Sequence, residues 1–276
     1  MALQNNKSLG QHWLKDRAIL DEIAELSVPE MTEPDSELPL CLEIGPGLGT
    51  LTSSLLRIYP KVMAVEFDQK LAENLPKSFP GKNLDVINAD FMNCDLDDLP
   101  KGYVVAANIP YYITSPIIMK LLTEKNLPAK IVLLIQKEVA ERIVAGAARV
   151  QNLTSQNNSE VVQDTYPGKQ TQLSLFVQNR AKVALGPVVE REYFTPPPKV
   201  DSQVLILEPH APIVPDEVME LIRRGFSSPR KKLMKNLNGL ARKDLNAIFA
   251  ELGILPDTRP GDLKLTDWRG LFEKLK

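Results

Sequence analysis

The segment Leu40-Cys41-Leu42-Glu43-Ile44-Gly45-Pro46-Gly47-Leu48-Gly49-Thr50 constrains the fold most, because it joins a short apolar run to an amphipathic one through a glycine-rich turn. The apolar run reads as a strand buried on both faces, and Leu51, Leu55 and Leu56 mark one side of the helix that follows. Strands of that kind belong to parallel sheets covered by helices on both faces. Glycines in the turn let the backbone approach a nucleotide more closely than side chains would allow. The dinucleotide fingerprint needs glycine where Thr50 stands, so the spacing disfavours a nicotinamide cofactor and leaves a merely structural turn open.

The alternation continues down the chain. Val62-Met63-Ala64-Val65 ends in Glu66, Leu84 to Asn88 is followed by Ala89-Asp90, and Tyr103 to Ala107 ends in Asn108. Ile131 to Ile135 is a fifth buried strand, and Val183-Ala184-Leu185 and Val204 to Leu207 read as two final ones. Helical patterns lie between them, Asp16 and Asp68 standing at N-cap positions and Pro116 in a first turn. This order predicts an α/β, doubly wound, Rossmann-like sheet, in which the C-terminal strand ends converge on one crevice. Gly45, Glu66, Asp90 and Asn108 occupy four successive ends. A carboxylate at Glu66 suits both hydroxyls of a ribose lying across the first strand's end, and Asp90 suits an adenine amine. Taken singly, either is equally an exposed acid at a strand terminus.

Asn108-Ile109-Pro110-Tyr111 brings together an amide, a proline-held carbonyl and an aromatic ring. The Asn oxygen and the Pro110 carbonyl can accept both protons of a planar amine such as adenine N6, while the Tyr111 face stacks on the base. A strand ending in an ordinary turn is the plain alternative. Phe194, ahead of Pro196-Pro197-Pro198, is a candidate second face for the base or a phenylalanine packed beneath a stiff loop.

Two histidines, His12 and His210, in 276 residues argue against zinc hydrolysis and Ser-His-Asp chemistry, and Cys41 and Cys94 make neither a disulfide framework nor a thiolate metal site. No metal is expected. Chemistry whose hard step belongs to a cofactor remains. The apolar runs are too short for a bilayer and the start is polar, so the expected location is the cytoplasm.

Charge is unevenly placed. From His210 onward there are 13 basic and 9 acidic residues, net +4, which leaves 20 and 26, net −6, before it. The pattern predicts a domain over 1–209 and a helical, basic one over 210–276, with a polar, mobile loop at 146–172. In the second domain Ser228-Pro229 is expected to open a helix carrying Arg230, Lys231, Lys232 and Lys235 around a Leu233, Leu237, Leu240 stripe, its N-terminus open to RNA phosphate. Basic helices are also commonly just solvated.

Gly10-Gln11-His12-Trp13-Leu14, Glu43-Ile44-Gly45-Pro46-Gly47, Val65-Glu66-Phe67-Asp68, Asn108-Ile109-Pro110-Tyr111, Gln136-Lys137-Glu138 and Pro196-Pro197-Pro198-Lys199-Val200-Asp201-Ser202, in that order, resemble the ribosomal RNA adenine dimethyltransferases. The resemblance spans nearly the whole chain. It implies a seven-stranded methyltransferase sheet, a helical C-terminal domain and S-adenosyl-L-methionine as donor. It also implies N6,N6-dimethylation of two adjacent adenines in the 3′-terminal hairpin of small-subunit ribosomal RNA, in a pre-30S particle, by an enzyme expected to be monomeric. Carried over by position, the cofactor residues are His12, Leu14, Gly45, Glu66, Asp90 and Asn108. The family often has Asn where this chain has His12, some relatives have Asn at Tyr112, and 146–172 is longer than the short loop expected there. A related enzyme of the antibiotic-resistance type acting on large-subunit RNA, and a non-catalytic RNA-binding assembly factor, are the alternatives.

Overall fold

A computed structural model describes residues 12–30, 37–152, 163–165, 167–240 and 244–276. The chain divides into two compact units, the first Met1–Ala140, Gln151–Val162 and Lys182–Pro209, the second Glu141–Val150, Gln163–Ala181 and His210–Lys276. One segment of the first unit ends at Pro209. The second unit also takes in chain from well before that point, which the change in charge does not mark.

The first unit is built on seven strands: β1 Cys41–Ile44, β2 Val62–Glu66, β3 Leu84–Asn88, β4 Val104–Asn108, β5 Lys130–Gln136, β6 Ala181–Val189 and β7 Ser202–Pro209. Their order across the sheet is β3-β2-β1-β4-β5-β7-β6. From β3 to β5 every pairing is parallel, and β7 runs antiparallel to β5 from Ser202↔Gln136 to Leu207↔Ile131. The apolar runs are buried because helices cover the sheet. Val104 to Ala107 and Ile131 to Ile135 have no exposed surface, and α1 (Arg17–Leu26) and α2 (Thr50–Ile58) pack together beside Cys41, Val62, Val104 and Ala106. Asp16 accepts from the Ile19 N–H and Asp68 from the Lys70 and Leu71 N–H groups, so both expected N-caps form. Strand ends extend beyond the ladder: the Gly45 N–H donates to the Val65 carbonyl at 2.9 Å and the Ala89 N–H to the Glu66 carbonyl at 3.1 Å. Thus four ends finish at nearly one level.

In the second unit Trp268 and Phe249 are enclosed by Val218, Ile222, Leu233, Leu237 and Leu271. Gly225 ends α3 (Asp216–Gly225) against the Trp268 indole, and a Cβ there would overlap the ring. Gly225→Ala is therefore expected to destabilise this unit by about 1–3 kcal/mol, the usual range for overpacking. A thermal melt followed by tryptophan fluorescence should show it, and an unchanged midpoint would mean that the ring has room to move.

Two expectations are corrected. Residues 146–172 are not simply a loop. Strands at Ala148–Asn152 and Gln163–Thr165 pair antiparallel through Ala148↔Thr165 and Val150↔Gln163, and Gln151 and Asn152 pair in parallel with Ala184 and Leu185. Ladder bonds use backbone groups, so low apolar content does not forbid them. Thr171 then caps the helix Gln172–Arg180, with the Ser174 N–H donating to its hydroxyl. The basic helix is also shorter than its leucine stripe suggests. It spans only Leu233–Leu237, and Arg230, Lys231 and Lys232 lie in the turn before it. The Asn236 side chain donates to the Gly225 and Ser228 carbonyls, and the Leu233 N–H donates to the Thr258 carbonyl at 2.8 Å. Those bonds hold the preceding residues in a turn. All four basic side chains are exposed. Among the described residues no helix is long and apolar enough to cross a membrane.

Candidate active site

The ends of β1, β2 and β4, with the turn after β3, open onto a cavity of about 280 Å³. His12, Gly45, Glu66, Asp90, Asn108, Pro110 and Tyr111 all line it. Leu14 and Phe194 do not. They face each other as partners in a two-stranded antiparallel ladder (Trp13↔Thr195, Leu14↔Phe194), and both side chains lie in the core, 0% and 3% exposed. Neighbouring residues of a strand point to opposite sides, so Trp13 lines the cavity while Leu14 is buried. Phe194 thus presents no free face to a base, and its packing reading is the one the geometry supports.

The nucleoside side of the cavity is acidic and rich in backbone. Gly45 and Gly47 have φ of 67° and 56°, conformations that favour glycine. A Cβ on Gly45 would meet nothing within 4 Å, so the requirement there is conformational and the space in front of the residue is open. At Gly47 a Cβ would stand 3.1 Å from Trp13 Nε1. Glu66 Oε2 accepts from the Gly47 N–H at 2.9 Å and Oε1 from the Asp68 N–H at 2.8 Å. Burial raises the Glu66 carboxyl above its ordinary value, and these two N–H donors oppose the rise. Each oxygen keeps a lone-pair site for a hydroxyl. Asn88 Nδ2 donates to the Glu66 and Phe67 carbonyls, fixing the strand end. Asp90 Oδ1 accepts from the Met92 N–H at 2.9 Å at the start of a 3-10 turn, and the exposed Phe67 stands at the rim.

Glu43, at the start of the glycine motif, also lines the cavity and is 1% exposed, with Oε2 lacking a hydrogen-bond partner. Burial pushes its carboxyl up to about 8, Thr52 pulls it down, and the charge of Glu66 pushes it up again. The sequence showed an acid at this place. Its enclosure, which gives it chemical interest, follows from the two strands flanking β1.

On the opposite side, Asn108 Nδ2 donates to the His12 carbonyl at 3.2 Å. Because a carbonyl can only accept, this bond fixes which end of the amide is which and leaves Oδ1 as a free acceptor. The Tyr111 hydroxyl is 2.8 Å from Ser202 Oγ, and the ring stacks on His12 with centroids 6.0 Å apart and planes at 24°. The Pro110 carbonyl accepts from the Ile113 N–H at 3.2 Å and retains a second lone pair. Among the described residues no cluster of three or more His, Cys, Asp or Glu could hold a metal ion.

One wall thus suits a nucleoside diol and amine, a buried carboxyl with one free oxygen suits a cationic group, and the other wall is a fixed amide acceptor beside an aromatic ring. That donor set fits a cationic nucleoside cofactor facing an amine substrate. The comparisons agree. The chain is 37% identical over 285 residues to the ribosomal RNA small subunit methyltransferase A of Gloeobacter violaceus, covering 98% of this chain and 93% of that one. It is 36% identical to the protein of the same name from Rippkaea orientalis, covering 96% and 95%. Among solved structures, a dimethyladenosine transferase from Plasmodium falciparum superposes with a TM-score of 0.71 at 27% identity, over 95% of this chain and 97% of that one. The 23S rRNA methyltransferase ErmE also gives 0.71, at 24% identity over 95% and 99%, and shares the fold. A sequence model described as ribosomal RNA adenine dimethylase matches residues 2–276, so this chain belongs to that family of S-adenosyl-L-methionine-dependent enzymes.

Proposed function

We propose that this chain transfers methyl groups to N6 of two adjacent adenines in the 3′-terminal hairpin of small-subunit ribosomal RNA, acting as a cytoplasmic monomer on a pre-30S particle. The observation that carries this reading is the polarity of Asn108: with Nδ2 held by the His12 carbonyl, Oδ1 is presented as an acceptor in a cavity whose other wall suits a nucleoside. S-adenosyl-L-methionine, when bound, supplies an electrophilic methyl on a sulfonium. Gly45, Glu66 and Asp90 are the residues to hold it, Glu66 through the ribose and Asp90 through the adenine amine. Asn108 Oδ1 and the Pro110 carbonyl align the target amine, so that its lone pair rather than an N–H faces the methyl. Tyr111, fixed by Ser202, stacks on the extruded base. Water takes the released proton. Leu14 and Phe194 contribute core rather than contact.

Small-subunit and large-subunit particles from cells lacking both modifications separate the alternatives. Dimethyladenosine should appear by mass spectrometry in the small-subunit hairpin alone. Methylation of large-subunit RNA would move the chain to the other substrate class, and binding without methylation would make it an assembly factor. The exposed Arg230, Lys231 and Lys232 are assigned to RNA phosphates, as is Lys235 on the short helix. Replacing the first three by Glu should weaken particle binding and flatten the log–log salt dependence by about 0.7–0.9 per lost phosphate contact. An unchanged slope would remove these residues from the interface.

A further inference from the structure

Three bonded or stacked contacts meet at His12. Its Nδ1 lies 2.7 Å from the Pro196 carbonyl oxygen, and since that oxygen only accepts, Nδ1 carries the proton. Its ring stacks on Tyr111, and its own carbonyl accepts from Asn108 Nδ2. The Tyr111 hydroxyl meets Ser202, six residues beyond Pro196 at the start of β7. His12, Tyr111, Ser202 and Pro196 therefore close a circuit, and Asn108 is attached to it at one point. The two residues that would face the target amine are held by groups that His12 connects.

We infer that His12 is a positioning residue for the target adenine, acting through its Nδ1–H bond to Pro196. That bond fixes residue 12, and with it the carbonyl that orients the Asn108 amide and the ring against which Tyr111 rests. Without it the amide is free to turn its Nδ2 toward the amine, presenting a donor where an acceptor is needed. This rests on the reading of the site as an adenine N6-methyltransferase, and it differs from a direct hold on the cofactor by His12 in which step it affects.

Three substitutions separate the roles. His12→Phe keeps a ring and loses the donor. His12→Asn places an N–H close to the position of Nδ1 and loses the ring, and His12→Leu matches Asn in size but has neither. Single-turnover methylation of small-subunit particles should fall about 100-fold in Phe and Leu, the scale of a misplaced reactive group. In Asn it should recover to within about threefold of the unsubstituted chain. Cofactor affinity by calorimetry should stay within about threefold in all of them. The Asn108 side-chain amide signals, observed by NMR, should keep their positions in Asn and shift or broaden in Phe and Leu. Affinity lost in step with turnover would overturn the inference in favour of a cofactor contact, and so would equal losses in Asn and Leu. The amide signals read the circuit without any substrate. If the unsubstituted chain methylates no adenine, the substrate reading fails while the circuit is still tested, and unshifted signals in Leu reject the circuit whatever the substrate.

Discussion

Asn108→Ala is expected to lower single-turnover methylation by about 10³-fold while S-adenosyl-L-methionine still binds. Removing one preorganised hydrogen-bonding group from a transition state commonly costs 10²–10³ in rate, about 2.7–4 kcal/mol. Asn108 should stand at the upper end because alanine removes two things. It deletes the acceptor Oδ1, and it releases the His12 carbonyl from the Nδ2 donor that reaches it at 3.2 Å. Adenine N6 has its lone pair delocalised into the ring, so the enzyme has to hold the amine with its protons already engaged. Asn108→Asp tests polarity separately from shape. It keeps acceptors at the same place, loses the donor to His12 and sets a carboxylate oxygen against a carbonyl, so a loss of about tenfold is expected, between the wild type and Ala. Particle methylation measured at saturating cofactor, with affinity from calorimetry, distinguishes these. Turnover of Asn108→Ala within tenfold of wild type would remove Asn108 from the centre of the mechanism.

Sequence reading anticipated which residues share one cavity where that follows from position on a parallel sheet. Gly45, Glu66, Asp90 and Asn108 stand at ends that the register of β1 to β4 brings to one side, and no side-chain detail was needed to expect this. It did less well where orientation depends on a distant partner. Leu14 and Phe194 face the core because a two-residue ladder joins segments about 180 residues apart, and only that pairing decides which of Trp13 and Leu14 looks into the cavity. The same holds for the C-terminal basic residues. Leu233 and Leu237 are buried as their spacing suggests, but the Thr258 carbonyl and the Asn236 side chain fix where the helix begins. Strands inside 146–172 were invisible for a further reason, since backbone pairing leaves no apolar signature in a polar stretch. Glu43 was legible as part of a motif, and its burial was not.

Glu43 supports the other large prediction: between about pH 5.5 and 8 the unliganded methyltransferase unit should lose stability as pH rises, and Glu43→Gln should remove most of that loss. The folded carboxyl, pushed up to about 8 by burial, keeps its proton in a range where the unfolded one, near 4.5, has released it. The folded state then binds more protons than the unfolded state, so the free energy of unfolding falls with rising pH. The contribution is complete below about 4.5 and is lost by the time the pH passes about 8. For one fully linked proton the slope is about 1.4 kcal/mol per pH unit, or roughly 3 kcal/mol over two units, which is several degrees in melting temperature for a unit of this size. Glutamine fills the same space and does not titrate. Glu66, also raised by burial, has the same sign, so a shallow slope should remain in the variant. Cofactor binding should respond in the opposite sense. A cation beside Glu43 favours the carboxylate, so affinity for S-adenosyl-L-methionine should rise with pH and binding should release a proton, both effects being lost in Glu43→Gln. Melting curves at several pH values, and calorimetric titrations in buffers of different ionisation enthalpy, measure the two halves independently. Parallel melting curves for the two proteins would show that Glu43 is charged in the folded chain, and proton release unchanged in the variant would place the linked group elsewhere.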